Sequence, residues 1–151
     1  MKKAFSILIT LIGLSNFAFS QTYLGFEYNP NIPVKVGSTT LKHPWTGGIN
    51  YGQFSTIDFN FDGLEDLVIF DRSGDEFILM EHTVSGALHD YKYVYKGHQH
   101  FPECRSRAAF VDYDSDGRKD LFTYGIGGIK VYRNVGNSTN GLQWQLITEI
   151  L

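Results

Sequence analysis

The sequence predicts an all-β protein: two tandem four-stranded antiparallel units, preceded by a signal peptide. Three observations carry this. Aromatic residues make up 15% of the 151 residues, Gly is frequent, and no helix-favouring pattern follows the first apolar stretch. From Tyr51 onward, short apolar runs alternate with turns of Gly, Asp, Asn and Ser. One acidic loop also occurs twice, at Asp58 and at Asp112, a spacing of 112 − 58 = 54 residues.

Met1, Lys2 and Lys3 form a short positive start, and an apolar run follows over 4–14. Ala18 and Ser20 are the small residues three and one positions before Gln21. This layout predicts a signal peptide over 1–20, cleaved after Ser20, and a secreted or cell-surface protein. The run is too short for a membrane span of ~20 residues, and no later segment reads as one. Removing Lys2 and Lys3 leaves 13 − 2 = 11 basic against 16 acidic residues, a net charge of −5. Without a basic stripe to neutralise phosphates, nucleic acid is excluded as a partner. Cys104 is the only cysteine, so no internal disulfide forms; a free thiol and a bond to another segment both stay open.

Residues 21–50 read as an extended lead-in. Pro30, Pro33 and Pro44 bias their preceding residues toward extended backbone. Short strands are expected at 33–36 and 39–42, then a turn at 45–48. The first unit spans 51–97, with strands at 54–58, 67–70, 77–82 and 91–95 and turns at 71–75 and 84–86. Leu67-Val68-Ile69-Phe70 is continuously apolar, which suits a strand buried on both faces. Residues 98–107 read as a linker. The second unit spans 108–151, with strands at 108–112, 121–124, 129–133 and 144–151. A repeat of this length made of short strands is what a β-propeller blade requires. Rings close with roughly four to eight blades, so further blades are expected downstream.

The first loop is Asp58-x-Asn60-x-Asp62-Gly63-Leu64-x-Asp66, and the second Asp112-x-Asp114-x-Asp116-Gly117-Arg118-x-Asp120. Oxygens at positions one, three and five can wrap one side of a hard cation. Position seven offers a backbone carbonyl (Leu64, Arg118), and position nine a last carboxylate. Gly at position six permits the bend that brings the two halves together. This predicts two Ca2+ sites. Calcium accepts six to eight oxygens in uneven geometry, magnesium demands a stricter octahedron, and zinc prefers His and Cys, which both loops lack. An EF-hand needs a Glu at position twelve and flanking helices; Ile69 and Thr123 stand there instead, between strands. The second loop has four carboxylates against three. It is therefore expected to depend more on calcium, with Arg118 and Lys119 offsetting part of the repulsion.

Other features have plainer readings. His98, His100, Glu103 and Cys104 could ligate a transition metal, but Pro102 and their place between the units favour a linker. Gly125-Ile126-Gly127-Gly128 leads into a strand rather than a helix, so it is a turn and not a phosphate cradle. Asn137-Ser138-Thr139 is a glycosylation sequon read as a turn. Tyr91, Tyr93 and Tyr95 alternate along a strand and favour packing between units over a sugar-stacking platform.

From Gln53 to Leu151 the chain resembles the FG-GAP/VCBS repeat family, whose blades also build integrin α-subunit propellers. The residues that carry this are Phe110-Val111-Asp112-Tyr113-Asp114-Ser115-Asp116-Gly117-Arg118-Lys119-Asp120-Leu121, then Gly128-Ile129-Lys130-Val131-Tyr132-Arg133-Asn134. That tail is similar to the family's G-x-x-x-Y-x-N ending. The Phe-Gly and Gly-Ala-Pro signatures are not intact, which places the chain nearer the bacterial VCBS form. The resemblance implies a propeller with calcium in its outer loops, working in cell adhesion or in binding an extracellular protein or glycan. Similar exported bacterial proteins often end in a type IX sorting domain, which adds to the expectation of further chain. No Ser/His/Asp arrangement and no free carboxylate pair points to an enzyme. A secreted hydrolase or lyase with its catalytic part downstream is the competing reading, and a calcium-dependent surface layer the third.

Overall fold

The computed structural model describes Gly25 and residues 28–148. The expected signal peptide and the last three residues of the final expected strand lie outside the described residues. Ten strands follow in order: β1 Lys35–Val36, β2 Thr39–Thr40, β3 Gly52–Ile57, β4 Asp66–Asp71, β5 Glu76–Ser85, β6 Leu88–Tyr93, β7 Ala108–Val111, β8 Asp120–Gly125, β9 Gly128–Asn134 and β10 Trp144–Thr148. β3–β6 form one antiparallel four-stranded sheet and β7–β10 another, each in sequence order. The all-β expectation and the two four-stranded antiparallel units are therefore present. Among the described residues no helix is long and apolar enough to cross a membrane.

Strand positions follow the sequence pattern, with two shifts. β5 runs on to Ser85, and the turn sits at Gly86-Ala87 rather than over 84–86. β6 accordingly begins at Leu88 and ends at Tyr93. Val84 and Ser85 pair with His89 and Leu88, so a two-residue turn suffices and the ladder extends to it. In β4 the continuous apolar run is covered on both faces. Val68 and Phe70 face the second sheet, while Ile69 pairs across with Phe54 and Ile78 on the opposite face. Val68, Ile69 and Phe70 are all buried.

One core joins the sheets. Ile57, Val68, Phe70, Phe77 and Leu79 of the first meet Ala108 and Leu121 of the second. The segment 98–107 supplies Phe101 and Cys104 to that same core. It begins with a 3-10 turn, Gly97–His100, and then lays Phe101 between the sheets. The Phe101 ring stacks on Phe77 at 4.4 Å and lies 5.8 Å from Phe110 and 6.2 Å from Trp144. Burial also pushes the Cys104 thiol up to about 11, so it stays a protonated core residue at neutral pH.

Polar ties reinforce the junction. The Ala108 N–H donates to Gln53 Oε1 at 3.2 Å, Arg72 Nε to the Ser106 carbonyl at 2.6 Å, and the Ser106 N–H to Asp75 Oδ1 at 2.7 Å. Lys119 Nζ reaches Thr56 Oγ1 at 2.8 Å and Glu65 Oε2 at 2.5 Å on the first sheet.

The lead-in folds along the β6 edge. Trp45 Nε1 donates to the Ile32 carbonyl at 2.7 Å, and Lys42 pairs with Asp90 at 2.7 Å. Its end is pinned by Asp71, whose Oδ1 accepts from the N–H groups of Tyr51 at 3.0 Å and Ser73 at 3.1 Å. The Tyr51 bond first, then that of Ser73, hold the Asp71 carboxyl below the usual aspartate range.

Two outcomes follow from this packing. Phe101→Ala should remove about 3–5 kcal/mol of stability in chemical denaturation, because the gap opens between two sheets that cannot both collapse into it. Asp71→Asn should be less stable than the parent at neutral pH. A lowered folded-state value contributes stability above the ordinary aspartate range and loses it as pH falls through the lowered value. The gap between the two proteins should thus close in acid, as read by denaturation midpoints across a pH series.

Candidate metal centre

Each acidic loop joins the first and second strands of its sheet: 58–65 between β3 and β4, and 112–119 between β7 and β8. The two adopt the same hydrogen-bonded form residue by residue. In the first, the Asp62 N–H donates to Asp58 Oδ1 and Asn60 Oδ1, both at 3.1 Å, and the Gly63 N–H to Asp58 Oδ2 at 2.9 Å. In the second, the Asp116 N–H donates to Asp112 Oδ1 at 3.2 Å and Asp114 Oδ1 at 3.3 Å, and the Gly117 N–H to Asp112 Oδ2 at 3.0 Å. At position seven, the Leu64 N–H meets Asp62 Oδ1 at 2.8 Å and the Arg118 N–H meets Asp116 Oδ1 at 2.9 Å. Positive φ recurs at position four (Phe61 60°, Ser115 61°) and position six (Gly63 88°, Gly117 86°). The bend at position six is what the glycine expectation required.

Position nine has a distinct place. Asp66 and Asp120 are fully buried. Asp66 accepts from the Phe59 N–H at 3.0 Å and the His82 N–H at 2.7 Å. Asp120 accepts from the Tyr113 N–H at 3.1 Å and the Asn134 N–H at 2.8 Å. Each carboxylate thus clamps its loop to the third strand, within β5 at His82 and at the last residue of β9 at Asn134. Burial pushes the Asp66 carboxyl up, opposed by its two N–H donors and assisted by Asp62 and Asp58.

In the second loop Asp112, Asp114 and Asp116 each bring a carboxylate oxygen within 4.8 Å of the others. Oxygens bound to calcium at ~2.3–2.6 Å lie at most about twice that distance apart, so these three fit one such ion. The donors are all oxygen, which also suits calcium and disfavours zinc. The first loop places Asp58, Asn60 and Asp62 in the matching frame, with Asn60 Nδ2 donating to Asp62 Oδ2 at 3.0 Å.

The second loop also has cationic neighbours. Arg118 pairs with Asp116, and Arg133 with Asp114 at 2.6 Å and Asp116 at 3.5 Å. The Arg118 backbone donor first, then the Arg118 and Arg133 charges, hold the Asp116 carboxyl below its ordinary range. Lys119 does not join them. It turns instead toward Thr56 and Glu65 of the first sheet. Arg133 was not singled out by residue pattern, although hairpin counting finds it. The Gly125–Gly128 and Leu121–Tyr132 pairs place Arg133 across from Asp120, beside the loop. The matching residue of the first sheet is Glu81, which precedes His82 as Arg133 precedes Asn134.

The tempting alternatives do not assemble. His98 and His100 are exposed on the 3-10 turn, while Cys104 is buried in the core. Among the described residues, Asp112, Asp114 and Asp116 are the one group of three acidic, His or Cys side chains with converging ligand atoms. No protein-family model, no curated protein and no solved structure matches the chain.

Asp120→Ala should cost about 2–5 kcal/mol in chemical denaturation, with or without added calcium. It leaves the buried Asn134 N–H and the partly buried Tyr113 N–H without their acceptor. Amide exchange at Tyr113 and Asn134 should accelerate in the same variant.

Proposed function

We infer that the protein is an exported, calcium-binding β-propeller repeat protein, acting as an adhesion or ligand-binding scaffold for an extracellular protein or glycan. The observation that carries this reading is the residue-by-residue identity of the two loop frames, one of which converges three carboxylates. The repeated pattern of backbone donors and positive φ presents the same set of loop oxygens in both copies. The two meandering sheets packed on one core, with their first strands in contact, support the blade reading. The FG-GAP/VCBS resemblance supports the same combination of blade and calcium loop. The leader-like first twenty residues support export, where a weak calcium site suffices.

Calcium would be held by Asp58, Asn60, Asp62 and Asp66 in one loop and Asp112, Asp114, Asp116 and Asp120 in the other, with the carbonyls of Leu64 and Arg118. Its work is to neutralise carboxylates that the fold brings together. The charges differ from the count of loop carboxylates alone. The second loop has four carboxylates and two guanidiniums, a balance of −2. The first has three carboxylates with Glu81 in the place of Arg133. The first loop is accordingly the one that leans more on the ion.

Calorimetric titration of the metal-free protein should saturate two sites near ~10⁻⁴–10⁻³ M calcium and raise the melting temperature. Asp62→Ala and Asp116→Ala should each abolish one site. Arg133→Gln should tighten the second site by roughly two- to fivefold, because it removes a competing, partly exposed ion pair. A melting temperature indifferent to calcium in the parent protein would sink the reading.

A further inference from the structure

A cleft of about 510 Å³ lies between the lead-in and the β5–β6 edge of the first sheet. Its volume falls in the range of small-molecule sites. Tyr28, Trp45, Tyr93 and Tyr95 contribute ring surface to it, with Glu81 and Lys92 among the polar groups. We propose that this cleft binds a neutral saccharide, stacked on the aromatic rings and hydrogen-bonded by Glu81 and Lys92. This rests on the binding-scaffold reading and gives that scaffold a ligand class.

The rings are held in place while staying open to solvent. The Tyr28 hydroxyl donates to the Trp45 carbonyl at 2.5 Å, the Tyr95 hydroxyl to the Tyr28 carbonyl at 3.3 Å, and Trp45 Nε1 to the Ile32 carbonyl at 2.7 Å. Tyr28 also stacks on Tyr95 at 6.2 Å and meets the Tyr93 ring edge-on at 6.5 Å. Yet Tyr28, Trp45 and Tyr95 remain 44%, 41% and 43% exposed. Their polar atoms are committed to backbone carbonyls, so what they leave open to a ligand is ring surface. A pyranose has a C–H face that suits such a surface and a rim of hydroxyls that needs donors and acceptors.

Glu81 and Lys92 supply both. The strand register sets them directly opposite each other on β5 and β6. Opposite charges in that position ordinarily pair, but among the described residues neither side chain has an ion-pair or hydrogen-bond partner. A carboxylate accepts from two vicinal hydroxyls, and an ammonium donates to ring or hydroxyl oxygens.

Other ligand classes fit less well. An added peptide strand needs the free edge of β6, and there His43 Nε2 already sits 2.6 Å from the Tyr91 carbonyl. Pro30 and Pro44 in the facing wall have no N–H to give such a strand. A cationic amine would meet Lys92 and also Lys96, which lies 5.3 Å over the Tyr95 ring. An anion would meet Glu81. A neutral polyol satisfies both charges and opposes neither.

The test uses the full chain in calcium and a panel of neutral di- and oligosaccharides at millimolar concentration, with a methylated amine and an extended peptide as controls. Binding is read by calorimetry and by the aromatic resonances of Trp45 and the tyrosines. At least one saccharide should bind saturably and shift those resonances. Trp45→Ala should weaken it about tenfold, and Glu81→Gln should weaken it severalfold without altering the ring resonances of the free protein. Calcium titration of Trp45→Ala, a residue outside both acidic loops, separates the two readings. Lost saccharide binding with retained calcium stabilisation places the effect in the cleft, whereas loss of both indicts the scaffold. The proposal is overturned if no saccharide binds, if binding survives both substitutions unchanged, or if only the amine or the peptide binds.

Discussion

The structure depends on two buried aspartates. Asp66 and Asp120 each sit at the start of a second strand and take N–H donors from the loop before it and from the third strand. Burying a carboxylate carries a penalty of several kcal/mol, reduced when both oxygens are hydrogen-bonded to fixed donors. Asparagine could not replace it, because one side of its amide would present a donor to a donor. The carboxylate therefore stays and fixes three chain segments at one point. Around it the loop can place its remaining oxygens in only a few ways. This is why two loops that share few residues between their ligand positions have the same frame. It also means that a cation held there, as proposed, would not build the loop alone. It would neutralise a frame that backbone donors already hold.

Much of this was legible in the residues. The acidic loop announced itself twice in one register, and the apolar run of β4 announced a strand buried on both faces. What was not legible came from lengths that residue type does not encode. The turn between β4 and β5 holds four residues and that between β8 and β9 holds two, so a spacing of 54 at the loops becomes 52 by His82 and Asn134. Only with that slip in hand does Arg133 align with Glu81. Likewise 98–107 reads as a linker because it is polar at both ends and contains Pro102. Phe101 and Cys104 turn inward because the two sheet faces leave a space that backbone alone cannot fill. A sequence pattern reports which residues prefer burial, but not which gap they fill.

The aligned pair at 81 and 133 shows how a repeat can diverge without losing its frame. Arg133 lies across two ligand carboxylates of its loop, so repulsion there is relieved by the protein itself. Glu81 leaves the first loop without such relief and stands instead at the aromatic cleft. The same backbone position thus balances charge in one sheet and lines a cleft in the other.

Position eight carries the same logic across the interface. Glu65 and Lys119 occupy equivalent places, since 65 + 54 = 119, and they pair with each other between the sheets. Burial would raise the Glu65 carboxyl, but the Lys119 bond, the Thr56 bond and the Lys119 charge together hold it below its ordinary range. An ion pair this exposed contributes little stability, roughly 0–1 kcal/mol. Its value lies in orientation. Phe101 and the apolar core would tolerate some sliding of one sheet over the other, because hydrophobic contact is not directional. Lys119 also bonds the Thr56 carbonyl at 3.1 Å, which closes a fork that a slid sheet could not satisfy. Like charges at position eight would repel across this interface. The opposite charges at 65 and 119 avoid that, and their pairing helps set how the two acidic loops face one another.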